Sequence, residues 1–190
     1  MIILEQPKLI HINTVRTAST SVAVELSTRA KEGDAVSELD SKEHFYLPRE
    51  RKGVYQYSLA RDLTAKQRKQ YSVFCIEREP VSKCISHYQW ITAQSQLTAN
   101  IDISWEDYLD STMLPIDDFR YTNGRNSLIV DKIIKYENIK EELNEYLPFK
   151  MQFKIHARQS QHQDITVTDQ QRELIYHKFK NSNKFTGYEL

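Results

Sequence analysis

One short segment of the chain carries residue types that are suited to binding an anion. Residues 15–21 read Val-Arg-Thr-Ala-Ser-Thr-Ser and contain a single basic side chain, Arg16. The same segment contains four hydroxyl residues, which are Thr17, Ser19, Thr20 and Ser21. A guanidinium, hydroxyls and backbone N–H groups are all hydrogen-bond donors that can bind phosphate or sulfate oxygens. These residues therefore indicate a candidate anion-binding loop.

The residues on either side of this loop predict a strand before it and a helix after it. Residues 9–12 form a short apolar run, and residues 22–26 have the apolar density of a buried helix. In that order, the backbone N–H groups and the positive end of the helix dipole converge on one point. The loop is not of the ATP-binding type, because GxxxxGK[ST] is absent and residues 15–21 contain no glycine. The alternative is an ordinary turn in which a serine or threonine caps the helix.

A second segment places an arginine at the end of another predicted strand. Residues 71–76 are β-branched and aromatic, which predicts a buried strand, and Pro80 suits the first turn of a helix. Arg78 then lies at the carboxyl end of a strand, where open α/β sheets bind their ligands. Ser86 follows about two turns into the helix, on a different face from the apolar residues. The apolar face consists of Val81, Cys84, Ile85, Tyr88 and Ile91.

The remaining sequence alternates predicted strands with predicted helices. Capping boxes at Thr64 and Thr168 predict helices that continue through residues 70 and 179. Residues 132–136 predict a strand, followed by a helix to residue 147. We therefore predict a single domain over residues 1–190, of the α/β class, with three α/β/α layers around a mainly parallel sheet.

Composition narrows the class of protein. With 27% charged and 39% hydrophobic residues among 190, the chain is globular rather than disordered. A net charge of zero argues against broad electrostatic binding of nucleic acid, but not against a local anion site. Cys75 and Cys84 are expected to be buried free thiols, and no metal-ligand cluster is visible. Because neither a membrane span nor a signal peptide is predicted, we expect a cytoplasmic location.

These segments resemble the cofactor motifs of sulfotransferases that use 3′-phosphoadenosine 5′-phosphosulfate (PAPS). In the carbohydrate-type branch the first loop usually reads PKTGGTS, and residues 15–21 stand in its place. The second motif usually reads RdPvdRxxS, and residues 78–86 read Arg-Glu-Pro-Val-Ser-Lys-Cys-Ile-Ser. Residues 133–139 resemble the family's strand ending in yEnl, and residues 168–188 resemble its closing helix followed by fgY. The resemblance implies a P-loop NTPase-like sulfotransferase fold and covers nearly the whole chain.

The resemblance also implies a role for each matched residue. Arg78 and Ser86 would bind the 3′-phosphate, which distinguishes PAPS from ATP. Outside the matched segments, Arg158 in the polar loop of residues 155–162 is a further candidate that could close over the cofactor. The reaction would be in-line transfer of a sulfuryl group to a hydroxyl of a carbohydrate or other small acceptor, without a metal. 3′,5′-Adenosine bisphosphate (PAP) would be the product. The 5′-phosphosulfate would be held by the first loop, which consists of Arg16, Thr17, Ala18, Ser19, Thr20 and Ser21.

The first loop departs from the family pattern in three positions. Arg16 stands where the family has a lysine that contacts the oxygen between phosphate and sulfate, and Ala18 and Ser19 replace two glycines. Arg16 can donate to that oxygen with a bulkier, always-charged group. A second alignment places Thr14 in the lysine's position. These departures leave one alternative function, a nucleotide-binding protein with impaired catalysis. An ATP-dependent phosphotransferase is the rival enzyme class, although the absence of GxxxxGK[ST] argues against it.

We predict that His44 is the base that removes the proton from the acceptor hydroxyl. It lies after the first helix, where relatives often place a catalytic histidine or glutamate, and imidazole suits proton transfer at neutral pH. Glu43 competes for this role, and His11 and His87 are further candidates. Six aromatic residues near predicted loops or amphipathic elements could stack on a sugar ring, namely Tyr46, Tyr55, Tyr57, Trp90, Trp105 and Tyr121.

Overall fold

The structure is organised around a mixed β-sheet. This computed structural model describes residues 1–31, 33–36, 59–98, 103–153 and 164–190. Within these ranges the sheet has five strands, β1 (Ile2–Leu4), β2 (Leu9–Ile12), β3 (Ala35–Val36), β4 (Ser72–Glu77) and β5 (Lys132–Lys135). Their order across the sheet is β3-β1-β2-β4-β5. β2, β4 and β5 are parallel neighbours, whereas β1 is antiparallel to both β2 and β3.

The α/β class is confirmed, but the sheet is less parallel than the sequence predicted. The difference arises from β1, which pairs with β2 in the register Leu4 to Leu9. A connection this short can join only antiparallel strands, because a parallel pair needs a crossover of about a dozen residues. Residues 2–4 are apolar and all three are buried, because pairing with the sheet removes their side chains from water.

The two helices predicted from capping boxes are both present, and each ends within one residue of its predicted end. Thr64 and Thr168 each accept a hydrogen bond from the N–H of the glutamine three residues later, so both predicted capping boxes are present. The first helix ends at Ser27, and a further short helix follows Phe179. The helices are α1 (Ser19–Ser27), α2 (Ala65–Gln70), α3 (Pro80–Thr98), α4 (Trp105–Asp110), α5 (Ile139–Tyr146), α6 (Asp169–Lys178) and α7 (Lys180–Thr186).

Apolar residues pack on both faces of the sheet. Phe74 and Ile76 of β4 pack with residues of α1 and α5, whereas Val73 and Cys75 face the other side. This period of two is what a strand buried on both faces requires. A third cluster joins α3, α4 and α6, and the arrangement is consistent with three α/β/α layers. Cys75 and Cys84 are both buried and free, as predicted. In the described ranges, no helix has the length and apolarity needed to cross a membrane.

Candidate functional site

The two segments singled out from the sequence meet at one edge of the sheet. β2 and β4 are parallel neighbours with Ile12 opposite Cys75, so the residues that follow them leave the sheet on the same side. The Arg16 Nε donates a hydrogen bond to the Ser86 Oγ across 3.1 Å, and Ser86 is only 6% exposed. This contact joins the loop after β2 to the helix after β4.

A buried cluster of hydroxyls fixes the shape of the first loop. Oxygen–oxygen distances are 2.8 Å between Thr14 and Thr17, 3.1 Å between Thr14 and Ser19, and 2.9 Å between Thr17 and Ser19. Thr14 also donates to the backbone carbonyl of Ile76, which ties the loop to β4. All three hydroxyl residues are buried, so each hydroxyl stabilises the loop from inside.

Two residues of the first loop have a left-handed backbone conformation. Arg16 and Ala18 both have a φ of 59°, in the left-handed region. Ala18 is the N-cap of α1 and offers no side-chain hydrogen bond, so the alternative of an ordinary serine or threonine cap is wrong. The first turn of α1 contains no acidic residue, and its half-buried hydroxyl residues are Thr20 and Ser21. Neither the cap nor a carboxylate of the first turn therefore offsets the positive end of the helix dipole.

Arg78 lies where the sequence placed it, just after β4 and before α3. Its Nε donates to the Ser82 Oγ at 3.0 Å, and its guanidinium lies over the Tyr136 ring at 4.4 Å from the centroid. Among the described residues, no carboxylate lies within ion-pair distance of Arg78, so Arg78 forms no salt bridge there at the start of α3. The carboxylate of Glu79 caps α3 by accepting from the N–H groups of Val81 and Ser82, at 3.0 and 2.7 Å.

A buried charge cluster lies beneath the two segments. The Lys83 Nζ donates to the Glu77 Oε2 at 2.7 Å and to the Asp117 Oδ1 at 2.6 Å, and all three side chains are at most 3% exposed. The other Asp117 oxygen accepts from the Val15 N–H at 2.6 Å and lies 3.3 Å from the Arg120 Nε. The cluster thereby connects β4, α3 and the first loop.

Burial and charge act in opposite directions on the groups of this cluster. Burial raises the pKa of Glu77 to about 8, although the Lys83 ammonium acts to lower it. Burial alone would lower the pKa of Lys83, but the carboxylates of Asp117 and Glu77 outweigh that effect and raise it. The two acidic side chains, Asp117 above all, therefore favour the charged form of Lys83 in the interior.

Two polar side chains near the end of β2 are buried without partners among the described residues. Asn13 is 2% exposed, and its Oδ1 and Nδ2 make no hydrogen bond there. His11 is fully buried and stacks on Phe74 with ring centroids 4.8 Å apart, with neither ring nitrogen hydrogen-bonded. Burial, with a smaller contribution from the chain's amino group, lowers the pKa of His11 to about 3. His11 is therefore neutral and packs inside the sheet, away from proton-transfer chemistry.

The remaining predicted site residues divide into two groups. His44 and Arg158, like Glu43, lie outside the described residues. His87 is described, half-buried on α3, with its Nδ1 3.1 Å from the Tyr108 hydroxyl. No group of histidine, cysteine or carboxylate side chains within the described ranges could hold a metal ion.

Sequence reasoning missed the roles of Lys83 and Asp117. Lys83 stands three residues before Ser86, on the same helical face, in the place of the arginine within the family's RdPvdRxxS pattern. That spacing was a usable signal for Lys83. No local pattern points to Asp117, which is 102 residues from its Val15 partner.

Known proteins provide no further guide to the site. Comparison with models of protein families, with curated proteins and with solved structures finds no match to this chain.

Proposed function

We propose that this chain is a PAPS-dependent sulfotransferase with a P-loop-like fold. The observation that carries the proposal is the hydrogen bond from Arg16 to Ser86, which unites two segments that sequence reasoning assigned to one cofactor. One segment would hold the 5′-phosphosulfate and the other, with Arg78, the 3′-phosphate. The product would be PAP, and the acceptor would be a hydroxyl of a carbohydrate or another small molecule.

Three further observations support anion binding at this edge. The positive end of α1 has neither a side-chain cap nor an acidic residue in its first turn. Ala18 adopts the left-handed conformation despite its Cβ, which keeps the loop backbone in a glycine-like shape. The Asn13 carboxamide is buried and unpaired among the described residues, which is costly unless a ligand or water completes its hydrogen bonds.

The residues of the site would act mainly by positioning and by stabilising charge. PAPS supplies a sulfuryl group attached to a phosphate leaving group. The Arg16 guanidinium would donate to the bridging oxygen and offset the charge that develops on the departing phosphate. The Asp117 carboxylate holds the Val15 N–H, and this contact fixes the loop from which Arg16 projects. Because PAPS already contains the leaving group, catalysis would come mainly from such positioning of the loop before the reaction.

Calorimetric titration with PAP tests the cofactor assignment. We expect the wild type to bind PAP more tightly than ATP, because Arg78 meets a 3′-phosphate that ATP lacks. Arg78→Ala should weaken PAP binding by ~10- to 100-fold, the value of a hydrogen bond to a charged group. Arg125→Ala is the matched control, since Arg125 is exposed in a turn.

Three outcomes would change the proposal. Absence of PAP binding by the wild type would refute it, and equal PAP affinity in both arginine variants would remove Arg78 from the site. Tighter binding of ATP would favour a phosphotransferase. PAP binding without transfer of labelled sulfate to any acceptor in a broad panel would favour a nucleotide-binding protein with impaired catalysis.

A further inference from the structure

One face of α3 carries three polar side chains followed by a tryptophan along its first three turns. Lys83, Ser86, His87 and Trp90 are spaced at i, i+3, i+4 and i+7, which places them on one side of a helix. Ser86 accepts from Arg16, and Lys83 binds the carboxylate that holds the first loop. The two contacts show that this face is turned toward the loop, so the next residues along it lie at the border of the candidate site.

His87 follows directly on that face and is held in one orientation. Its Nδ1 lies 3.1 Å from the Tyr108 hydroxyl, and its ring stacks on Trp90 with centroids 5.8 Å apart and an interplanar angle of 25°. Within the part of the chain that the structure describes, no hydrogen bond occupies the other ring nitrogen, Nε2. A half-buried imidazole anchored through one nitrogen can exchange a proton through the other.

The surroundings of His87 keep its ring neutral. Burial, then the nearby cations Arg16 and Lys83, lower the pKa of His87 to about 4, and the Asp117 carboxylate opposes them. The Tyr108 hydroxyl on α4 contacts the ring and is also hydrogen-bonded to the Cys84 thiol. A bound nucleotide with several negative charges would offset the two cations, so the basicity of His87 would rise when the cofactor is present.

Trp90 provides a flat surface beside this imidazole. It is 36% exposed, an unusual exposure for the largest apolar side chain, and it lies one helical turn beyond Ser86. Trp105, the other tryptophan, is only 8% exposed and packs against Tyr88 and Tyr108. An aromatic face next to a neutral base suits a molecule that carries a hydroxyl on a ring.

We propose that His87 is the base of the transfer reaction and that the acceptor is a ring-bearing alcohol lying against Trp90. This inference rests on the proposed sulfotransferase function and names a different base from His44. The acceptor oxygen would form a bond to sulfur while the bond from sulfur to the bridging oxygen of PAPS breaks. PAP would leave with that electron pair, and the hydroxyl proton would pass to the Nε2 of His87 and then to solvent.

The test combines PAP calorimetry with transfer of labelled sulfate from PAPS to a panel of phenols, hexoses and acyclic alcohols. The proteins compared are the wild type, His87→Gln, His44→Ala, Trp90→Ala and the control His177→Gln, an exposed histidine on α6. We expect His87→Gln to lower kcat by ~10²- to 10⁴-fold with PAP affinity unchanged. In His87→Gln, the fall of kcat/KM at acidic pH should also disappear, a change that a merely structural role of His87 would not cause. Trp90→Ala should raise the KM for ring alcohols without changing PAP affinity.

The outcomes separate this inference from the proposed function. A wild type that fails to bind PAP overturns both. A wild type that transfers sulfate while His87→Gln retains the full rate, or while only His44→Ala loses it, refutes the role of His87 and leaves the proposed function standing. Equal transfer to acyclic and ring alcohols refutes the acceptor class. PAP binding with no transfer to any alcohol overturns the enzymatic proposal and this inference, but it supports the assignment of the cofactor site.

Discussion

Replacing Asp117 with alanine should weaken both the fold and the candidate site. Asp117 is 2% exposed and accepts from the Val15 N–H and from the Lys83 Nζ, each at 2.6 Å. Asp117→Ala leaves Lys83 in the interior with Glu77 as its only carboxylate partner among the described residues. It also leaves the Val15 N–H without its acceptor, so the first loop loses one of its attachments to the rest of the chain.

The expected loss of stability follows from these contacts. Removing one member of a buried ion pair costs about 3–5 kcal/mol, because the remaining charge has been taken out of water without compensation. Since 1 kcal/mol shifts the melting temperature of a domain this size by roughly 2–4 °C, Tm should fall by about 10 °C. PAP binding should also weaken, because the loop that contains Arg16 must then be ordered at the moment of binding.

Urea unfolding at pH 7 measures the free energy of unfolding directly. Asp110→Ala is the matched control, since Asp110 is exposed at the end of α4 and should change stability by less than ~0.5 kcal/mol. Lys83→Met combined with Asp117→Ala completes a double-mutant cycle. We expect the double variant to be more stable than the sum of the single losses predicts, by about 1–3 kcal/mol, because no unpaired Lys83 charge remains.

Two results would refute this reasoning. A loss below about 1 kcal/mol for Asp117→Ala would mean that Lys83 is not buried with its charge as the structure shows. Strict additivity of Asp117→Ala and Lys83→Met would mean that the two side chains do not interact.

Three further predictions concern stability. Ala18→Gly should stabilise the chain by about 0.5–1 kcal/mol in thermal unfolding, because Ala18 has a φ of 59°, which glycine adopts without strain. Ala23→Gly, inside α1, is the control and should destabilise the chain. A destabilising Ala18→Gly together with a stabilising Ala23→Gly would exclude the left-handed conformation of the loop. Thr168→Ala should cost about 1 kcal/mol through loss of the α6 cap, and an unchanged urea midpoint would contradict this. Burial lowers the pKa of His11 to about 3, so the unfolded state binds more protons and stability falls as pH drops below about 6.5. His11→Phe should remove about 2 kcal/mol of the loss between pH 7 and pH 5, and identical pH dependence in both proteins would show that His11 is not buried neutral.

Much of the fold could be predicted because its signals are local. The α2 and α6 helices begin at capping boxes whose donor and acceptor are three residues apart, so a short stretch of sequence contains the whole interaction. β4 was predicted from its β-branched and aromatic run for the same reason. The pairing of β1 could not be predicted in this way, because strand direction depends on which partner the apolar residues 2–4 meet in the sheet.

The candidate site was predicted in part. Parallel strands bring their carboxyl ends to one edge, so Arg16 and Ser86 could be expected together although they are 70 residues apart. The buried cluster around Asp117 could not be expected, since a lone aspartate before a 3₁₀ turn has no distinguishing pattern. The hydrogen bonds of the Thr17 hydroxyl with the hydroxyls of Thr14 and Ser19 could not be expected either, because they depend on how the loop folds back on itself.

The sequence by itself determined the α/β class, the positions of the two site segments and the location of Ser86 away from the apolar face of α3. These depend on periodicity and spacing along a single helix or strand. Only the tertiary structure decided that the N-terminal strand makes the sheet mixed, that Lys83 is buried between Glu77 and Asp117, and that His87 lies anchored between Tyr108 and Trp90. Each of these features joins residues from different elements, and the free energy of burying a charge or a ring depends on all its neighbours at once.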